Sequence, residues 1–303
     1  MDIMFLLQLI LSGLLLGGIY ALLALGIVLI VKASGVFNFA SGDMTALGAF
    51  AAWSIITFIS ETGLEVIAVP AMIVGVIIVA MMFAFIIERF ALRPLIGQPV
   101  IAVLMLTVSL GMVISGFVSM TWPGPGRVFP QMIPTGAIKL GSISLSAGGL
   151  ASFLICMLIF GAFVLFFQKT KLGLAMRGTS EDQQLSQSVG IKVTVIFLAC
   201  WFIAMLLATA SGVLVGSMQV LDRTTLAAFG AIAFPAVLLG GIESIPGALI
   251  GGLIIGVVEM LSGGYLDPYL GGGVGSVMPF IVMLIILLFR PFGLFGYRRI
   301  ERV

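Results

Sequence analysis

No histidine occurs among the 303 residues. Its absence excludes zinc-dependent proteolysis by an H-E-x-x-H helix and any serine–histidine protease, because both chemistries need an imidazole. Charge is nearly as scarce, with Asp, Glu, Lys and Arg making up 9% of the chain, where soluble domains carry about a quarter. A chain that is 61% hydrophobic cannot be kept in water by so few charges, so the solvent for most of its surface is lipid. A mean hydropathy of +1.31 agrees. The net charge of +2 is too small to suggest nucleic acid. Two cysteines, Cys156 and Cys200, both fall inside long apolar runs and read as small buried hydrophobes rather than a disulfide. No Gly-x4-Gly-Lys-Ser/Thr loop is present, so no nucleotide is expected to bind through one, and a potassium-type filter is also missing. No cofactor is expected on this chain. Asp2 is the only charge before Lys32, so the first apolar run reads as a permanent span rather than a cleaved signal.

What the chain does have is apolar runs separated by short polar breaks. Nine segments emerge: Phe5 to Val31, Val36 to Ile59, Val66 to Ile87, Pro99 to Met120, Gly149 to Phe167, Val193 to Val215, Leu226 to Leu239, Gly247 to Leu261 and Val277 to Phe289. Several are shorter than the about 20 residues that a helix needs to cross a bilayer, and these are expected to be broken, tilted or re-entrant. The fold class is therefore an all-α transmembrane bundle of eight to nine segments, forming one domain over residues 1–303. Lys and Arg accumulate on the cytoplasmic side of spans. An outside N-terminus and nine crossings put eleven basic residues inside, Arg298, Arg299 and Arg302 among them, and leave Arg127, Lys139 and Arg223 outside. The expected orientation is N-out and C-in. Glycines four apart, Gly13 with Gly17, Gly247 with Gly251 and Gly252 with Gly256, are suited to close helix packing in lipid.

Three polar islands interrupt the apolar pattern. The loop at 168–192 is cytoplasmic by this topology, and Ser180 followed by Gln183 reads as a capping box, with Gly190 just past the helix end. This predicts a short helix from Glu181 to Val189 whose Leu185 and Val189 share one face. Such a helix cannot bury itself alone, so it is expected to dock on a partner; a solvated loop is the alternative. The second island is Asn38, Ser41 and Asp43, with Gly42 permitting an unwound turn. Acidic groups in lipid normally face a cavity or a partner, and broken helices line many solute pathways. Alternatively, Asp43 sits near the interface and caps its own helix. The third, Gly240 to Gly247, marks a tight reversal through Gly241, Glu243, Ser244 and Pro246. A faint echo links Ser41 through Gly48 with Ser244 through Gly251. On the outer side, the proline-rich loop from Trp122 to Ser146, Pro134 included, is a candidate landing surface for a partner.

These residues resemble the high-affinity branched-chain amino acid ABC transporter permeases of the LivH type. The likeness rests on Gly17-Gly18-Ile19-Tyr20-Ala21-Leu22 leading to Asn38-Phe39-Ala40, and on Ile87-Glu88-Arg89 with Arg93-Pro94. It continues through Glu181-Asp182 with Gly190-Ile191, then Ala236 to Gly241 leading to Ser244-Ile245-Pro246-Gly247-Ala248. Arg290-Pro291 with Gly293-Leu294-Phe295-Gly296 closes it. The resemblance implies an all-helical permease of a bacterial inner membrane that pairs with a second, similar permease, two cytoplasmic ATPases that use the ATP, and an extracytoplasmic binding protein. It implies that Glu181, Asp182, Leu185, Val189, Gly190, Gly241, Glu243, Ser244 and Pro246 face the ATPases. Tyr20, Asn38, Ser41 and Asp43 are the candidates for polar contacts along the solute pathway. Family members usually read Asn-Phe-Ala-His-Gly-Glu where this chain has Asn38-Phe39-Ala40-Ser41-Gly42-Asp43, which leaves the solute open between amino acids and urea, short amides or small organic acids. Two other readings stay open from the residues themselves: an ion-coupled carrier with Asp43 or Glu259 as its ion site, and a membrane scaffold without solute flux.

Overall fold

The computed structural model describes residues 3–63, 65–95, 98–130, 132–133, 136–140 and 143–296. Arg298, Arg299, Arg302 and Pro134 lie outside the described residues. In chain order the elements are α1 (Ile3–Ser34), α2 (Ser41–Glu61), α3 (Glu65–Ile86), α4 (Val100–Thr121), β1 (Ala137–Leu140), β2 (Ile143–Ser146), α5 (Ala147–Lys169), α6 (Lys171–Glu181), α7 (Gln183–Ser188), α8 (Val193–Met218), α9 (Arg223–Gly240), α10 (Ile245–Tyr265), α11 (Asp267–Leu270) and α12 (Val274–Phe289). Among the described residues, eight helices are long and apolar enough to span a bilayer, and α12 is a shorter apolar helix. All nine apolar segments read from the sequence are helices, and the protein is an all-α multi-pass membrane bundle.

α1 is the axis of the bundle. Its 32 residues reach about 48 Å at 1.5 Å per residue, longer than the about 30 Å hydrocarbon layer. It is buried without interruption from Gly17 to Val31, as befits a helix that is apolar all round. α10 runs against it along a glycine seam. A Cβ on Gly252 would lie 2.4 Å from the Ala21 nitrogen, and one on Gly256 would lie 2.4 Å from the Gly13 carbonyl oxygen. The other glycine pair of α10 serves a different neighbour. A Cβ on Gly251 would lie 2.1 Å from the Ala236 oxygen of α9, and Gly247 meets Gly240 in the same way. In lipid no hydrophobic force draws helices together, so this backbone proximity, with the dispersion it permits, is what holds the three helices.

The reversal between α9 and α10 is tight because Gly241 takes φ +109°, a region closed to other residues. Ser244 then caps α10, its Oγ accepting from the Gly247 N–H at 3.1 Å. The segments Leu226–Leu239 and Gly247–Leu261, read as too short to cross, gain residues at their ends and are continuous helices of 18 and 21 residues. The interruption lies instead at residues 35–40, between α1 and α2.

The helix expected from Glu181 to Val189 is present as α7, shortened to Gln183–Ser188, and it is the second of two helices in this loop. Thr170, not Ser180, starts the first: its Oγ1 accepts from Gly173 N at 3.0 Å and α6 follows. Ser180 lies in the last turn of α6, donating to the Arg177 carbonyl at 2.7 Å. Asp182 is the cap of α7, accepting from Leu185 N at 2.9 Å. A carboxylate outcompetes a hydroxyl at this position because its bond to the helix N–H is charge-assisted. Gly190 follows α7 with φ +88°, as read from the sequence.

Candidate functional site

α1 ends at Ser34, and Gly35 turns the chain with φ +72°. The next residues have no helical partners for their backbone groups, which inside a bilayer must be satisfied by side chains. Asn38, 1% exposed, folds back so that its Oδ1 accepts from Ala40 N at 3.1 Å. Thr107 of α4 donates to the Phe37 carbonyl at 3.1 Å. α2 then starts at Ser41.

The neighbours of this start fix its depth. A Cβ on Gly42 would meet the Ala227 oxygen of α9 at 2.6 Å, and one on Gly230 would meet the Gly42 Cα at 2.1 Å. A Cβ on Gly111 of α4 would lie 2.9 Å from the Asp43 Oδ2. These residues sit well inside α4 and α9, so α2 begins within the bundle rather than at its end. The unwound turn expected at Gly42 is not there: Gly42 and Asp43 are helical within α2, and the non-helical stretch is the connection at 35–40 that carries Asn38. Gly42 is needed because α2 and α9 touch backbone to backbone there.

Ser41 Oγ is buried and has no hydrogen-bond partner. Asp43 is partly exposed, and its carboxylate lies against Gly111 of α4, one helical turn from Ser115, in the field of Arg223 of α9. Arg223 Nη1 in turn donates to Ser115 Oγ. Polar groups of α2 and α9 thus reach α4 one turn apart, at Gly111 and Ser115. Beside them, Phe37, Phe39 and Phe234 form an aromatic group with ring centroids 5.2–6.2 Å apart, and Phe39 is 47% exposed. The uncovered face of α9 carries Thr224, Ala228 and Ala231, whereas exposed positions of α4 carry Ile101, Met105, Met112 and Phe117. Large apolar groups suit lipid tails, whereas a strip of small ones lets another helix approach closely.

Tyr20 lies elsewhere. It is fully buried, and its hydroxyl donates to Glu259 Oε2 of α10 at 2.6 Å. The ring packs on Phe229 at 5.5 Å. Tyr20 is thus brought together with Glu259, not with Asn38, Ser41 and Asp43.

A second polar region forms where α1 ends. Lys32 Nζ donates to the Glu243 carbonyl at 3.4 Å, and Gln183 Nε2 donates to the Ala33 carbonyl at 3.1 Å. Glu181, Glu243, Lys32, Ser180, Ile242 and Phe292 line a cavity of about 640 Å³. The loops around Glu181 and Glu243, far apart in the chain, therefore face one space. Gly241 and Ser244 are buried beneath it, and Pro246 is exposed. Leu185 and Val189 are 64% and 71% exposed, and Glu181, Asp182 and Gly190 are exposed with them. Leu239 and Gly240 are also gripped by the segment after α12: Leu294 N donates to Leu239 O at 2.8 Å and Phe295 N to Gly240 O at 3.0 Å. This strap satisfies carbonyls that the end of α9 leaves free.

The sequence reading missed Thr107, Ser115 and Lys32, which are ordinary residues until their neighbours are known. Arg223 carried one signal, being one of three basic residues placed outside. The Gly293 to Gly296 motif was noted without a role.

Comparison with known proteins bears on this geometry. The family described as branched-chain amino acid transport system / permease component matches residues 9–287. The high-affinity branched-chain amino acid transport system permease protein BraD of Pseudomonas aeruginosa is 30% identical over 98% of this chain and 98% of its own. The permease protein LivH of Escherichia coli strain K12 is 29% identical over 99% of this chain and 98% of its own. A probable LivH of Methanocaldococcus jannaschii is 29% identical over 93% and 90%. With a match over nearly its whole length, the chain belongs to the branched-chain amino acid transport system permease family.

Proposed function

We propose that the protein is the permease subunit of an ATP-driven importer of amino acids, branched-chain ones foremost, in the cytoplasmic membrane. It pairs with a second, similar permease, with two ATPases on the Lys32 side and with an extracytoplasmic binding protein on the Trp122 side. The orientation is N-out and C-in. Solute passes along the uncovered face of α2, α4 and α9, where Asn38, Ser41 and Asp43 stand at the break. Tyr20 acts behind that wall, fixing α10 against α1 through Glu259. The observation that carries the reading is the convergence of α6, α7 and the Glu243 loop on one end, with Leu185 and Val189 left as uncovered apolar knobs on polar surroundings. An apolar pair on a short helix that cannot cover it suits a groove on another subunit. Motion of an ATPase gripping α7 reaches α1 through Gln183 and Ala33, and α9 through Lys32 and Glu243. The loops at 181–190 and 241–246 would then act as one lever.

The test is Leu185→Asp with Val189→Asp in the intact importer. Loss of ATPase co-purification and of ATP-dependent leucine uptake, with the permease still folded, is the expected result. Retained docking and uptake would refute the lever. An ion-coupled carrier would instead lose uptake with an uncoupler and ignore ATP depletion.

A further inference from the structure

We infer that Arg223 and Asp43, brought to α4 beside Ser115 and Gly111 respectively, form a two-charge reader for the zwitterionic backbone of an α-amino acid at the entrance half of the pathway. The inference rests on the proposed function and names residues that set its specificity. Arg223 begins α9, and Asp43 lies in the first turn of α2, which starts beside Ala227 and Gly230 about one to two helical turns further in. A solute approaching along α9 thus meets the guanidinium first and the carboxylate next. Both side chains are partly exposed, so neither is sealed in the bundle. Arg223 offers a planar fork of donors that fits a carboxylate, and Asp43 offers acceptors for an ammonium group. The exposed Phe39 edge supplies an apolar surface for a side chain.

A simpler role for these charges is to hold α2, α4 and α9 together as a buried pair, and the two roles predict different things. If the pair only holds helices, removing one charge harms the fold by stranding the other, whereas removing both relieves it. If it reads a zwitterion, the double neutral variant is as poor as either single one, because the ligand's own charges lose their partners.

The experiment compares Asp43→Asn, Arg223→Gln and the double variant in the importer purified with its partner subunits and reconstituted in vesicles. Leucine uptake is measured with saturating binding protein, alongside complex yield and ATPase activity without solute. The expected result is a loss of at least about tenfold in leucine uptake in all three, the factor carried by one charge-assisted hydrogen bond, with yield and basal ATPase activity retained. Recovery of uptake in the double variant, or loss of the complex in the single ones with recovery in the double, overturns the inference and leaves a structural pair. A wild-type importer that takes up no amino acid defeats the proposed function and this inference with it; wild-type uptake that the variants match defeats the inference alone.

Discussion

Replacing Gly252 by Ala adds one methyl group to α10 at the point where it lies against α1. The new Cβ would stand 2.4 Å from the Ala21 nitrogen, 2.5 Å from its Cα and 2.8 Å from its Cβ, where ordinary van der Waals contact starts at 3.4 Å. The obstacle is mainly backbone, so no rotamer change relieves it, and the helices must part by about 1 Å. A gap of that size forfeits about a quarter to a half of the dispersion of the atom pairs across it. Overpacking of this kind costs about 1–3 kcal/mol, against which Ala regains up to about 1 kcal/mol of helix propensity. Gly161→Ala in α5 isolates the two contributions, because nothing lies within 4 Å of its added Cβ. That variant should be neutral or slightly stabilised, and Gly252→Ala should fall below it by about 1–3 kcal/mol. The assay is unfolding of the purified protein in lipid nanodiscs, with both variants measured side by side. Equal stability of the two would show that α1 and α10 are not in backbone contact and would sink the seam.

Other consequences can be checked in the same preparation. Tyr20→Phe removes the 2.6 Å hydrogen bond to Glu259, at a cost of about 1.5–3 kcal/mol; a variant as stable as wild type would mean that Glu259 does not depend on Tyr20. Asp222 caps α9 by accepting from Thr225 N at 3.1 Å, so Asp222→Ala should lose about 0.5–2 kcal/mol. The Thr224 hydroxyl, followed by the Thr225 backbone N–H, holds the Asp222 carboxylate below its ordinary range. A depressed folded-state value means that the cap contributes fully above the unfolded value of about 3.9 and loses its contribution as pH falls through the lower folded one. Melting temperature should therefore fall more steeply from about pH 5 to pH 3 in wild type than in Asp222→Ala, and parallel curves would refute the cap.

The sequence by itself determined the solvent, the class of fold and the positions of the nine helices, because hydropathy and span length are properties of each segment alone. Gly241 and Gly190 were also legible, since backbone conformation at a turn depends on the residue that occupies it. The start of the helix at 181–189 was placed two residues early because Ser180 and Asp182 are both competent caps, and only the packing of α6 decides between them. The glycine pairs announced close packing, but which helix each pair meets depends on the bundle: Gly247 and Gly251 face α9, whereas Gly252 and Gly256 face α1. The depth of the break at residues 35–40 was likewise decided by tertiary structure. Nothing local in Phe37 to Asp43 states that Thr107, Gly111 and Gly230 will surround it, and only that assembly brings polar residues of three spans, Asp43 of α2, Ser115 of α4 and Arg223 of α9, to one place.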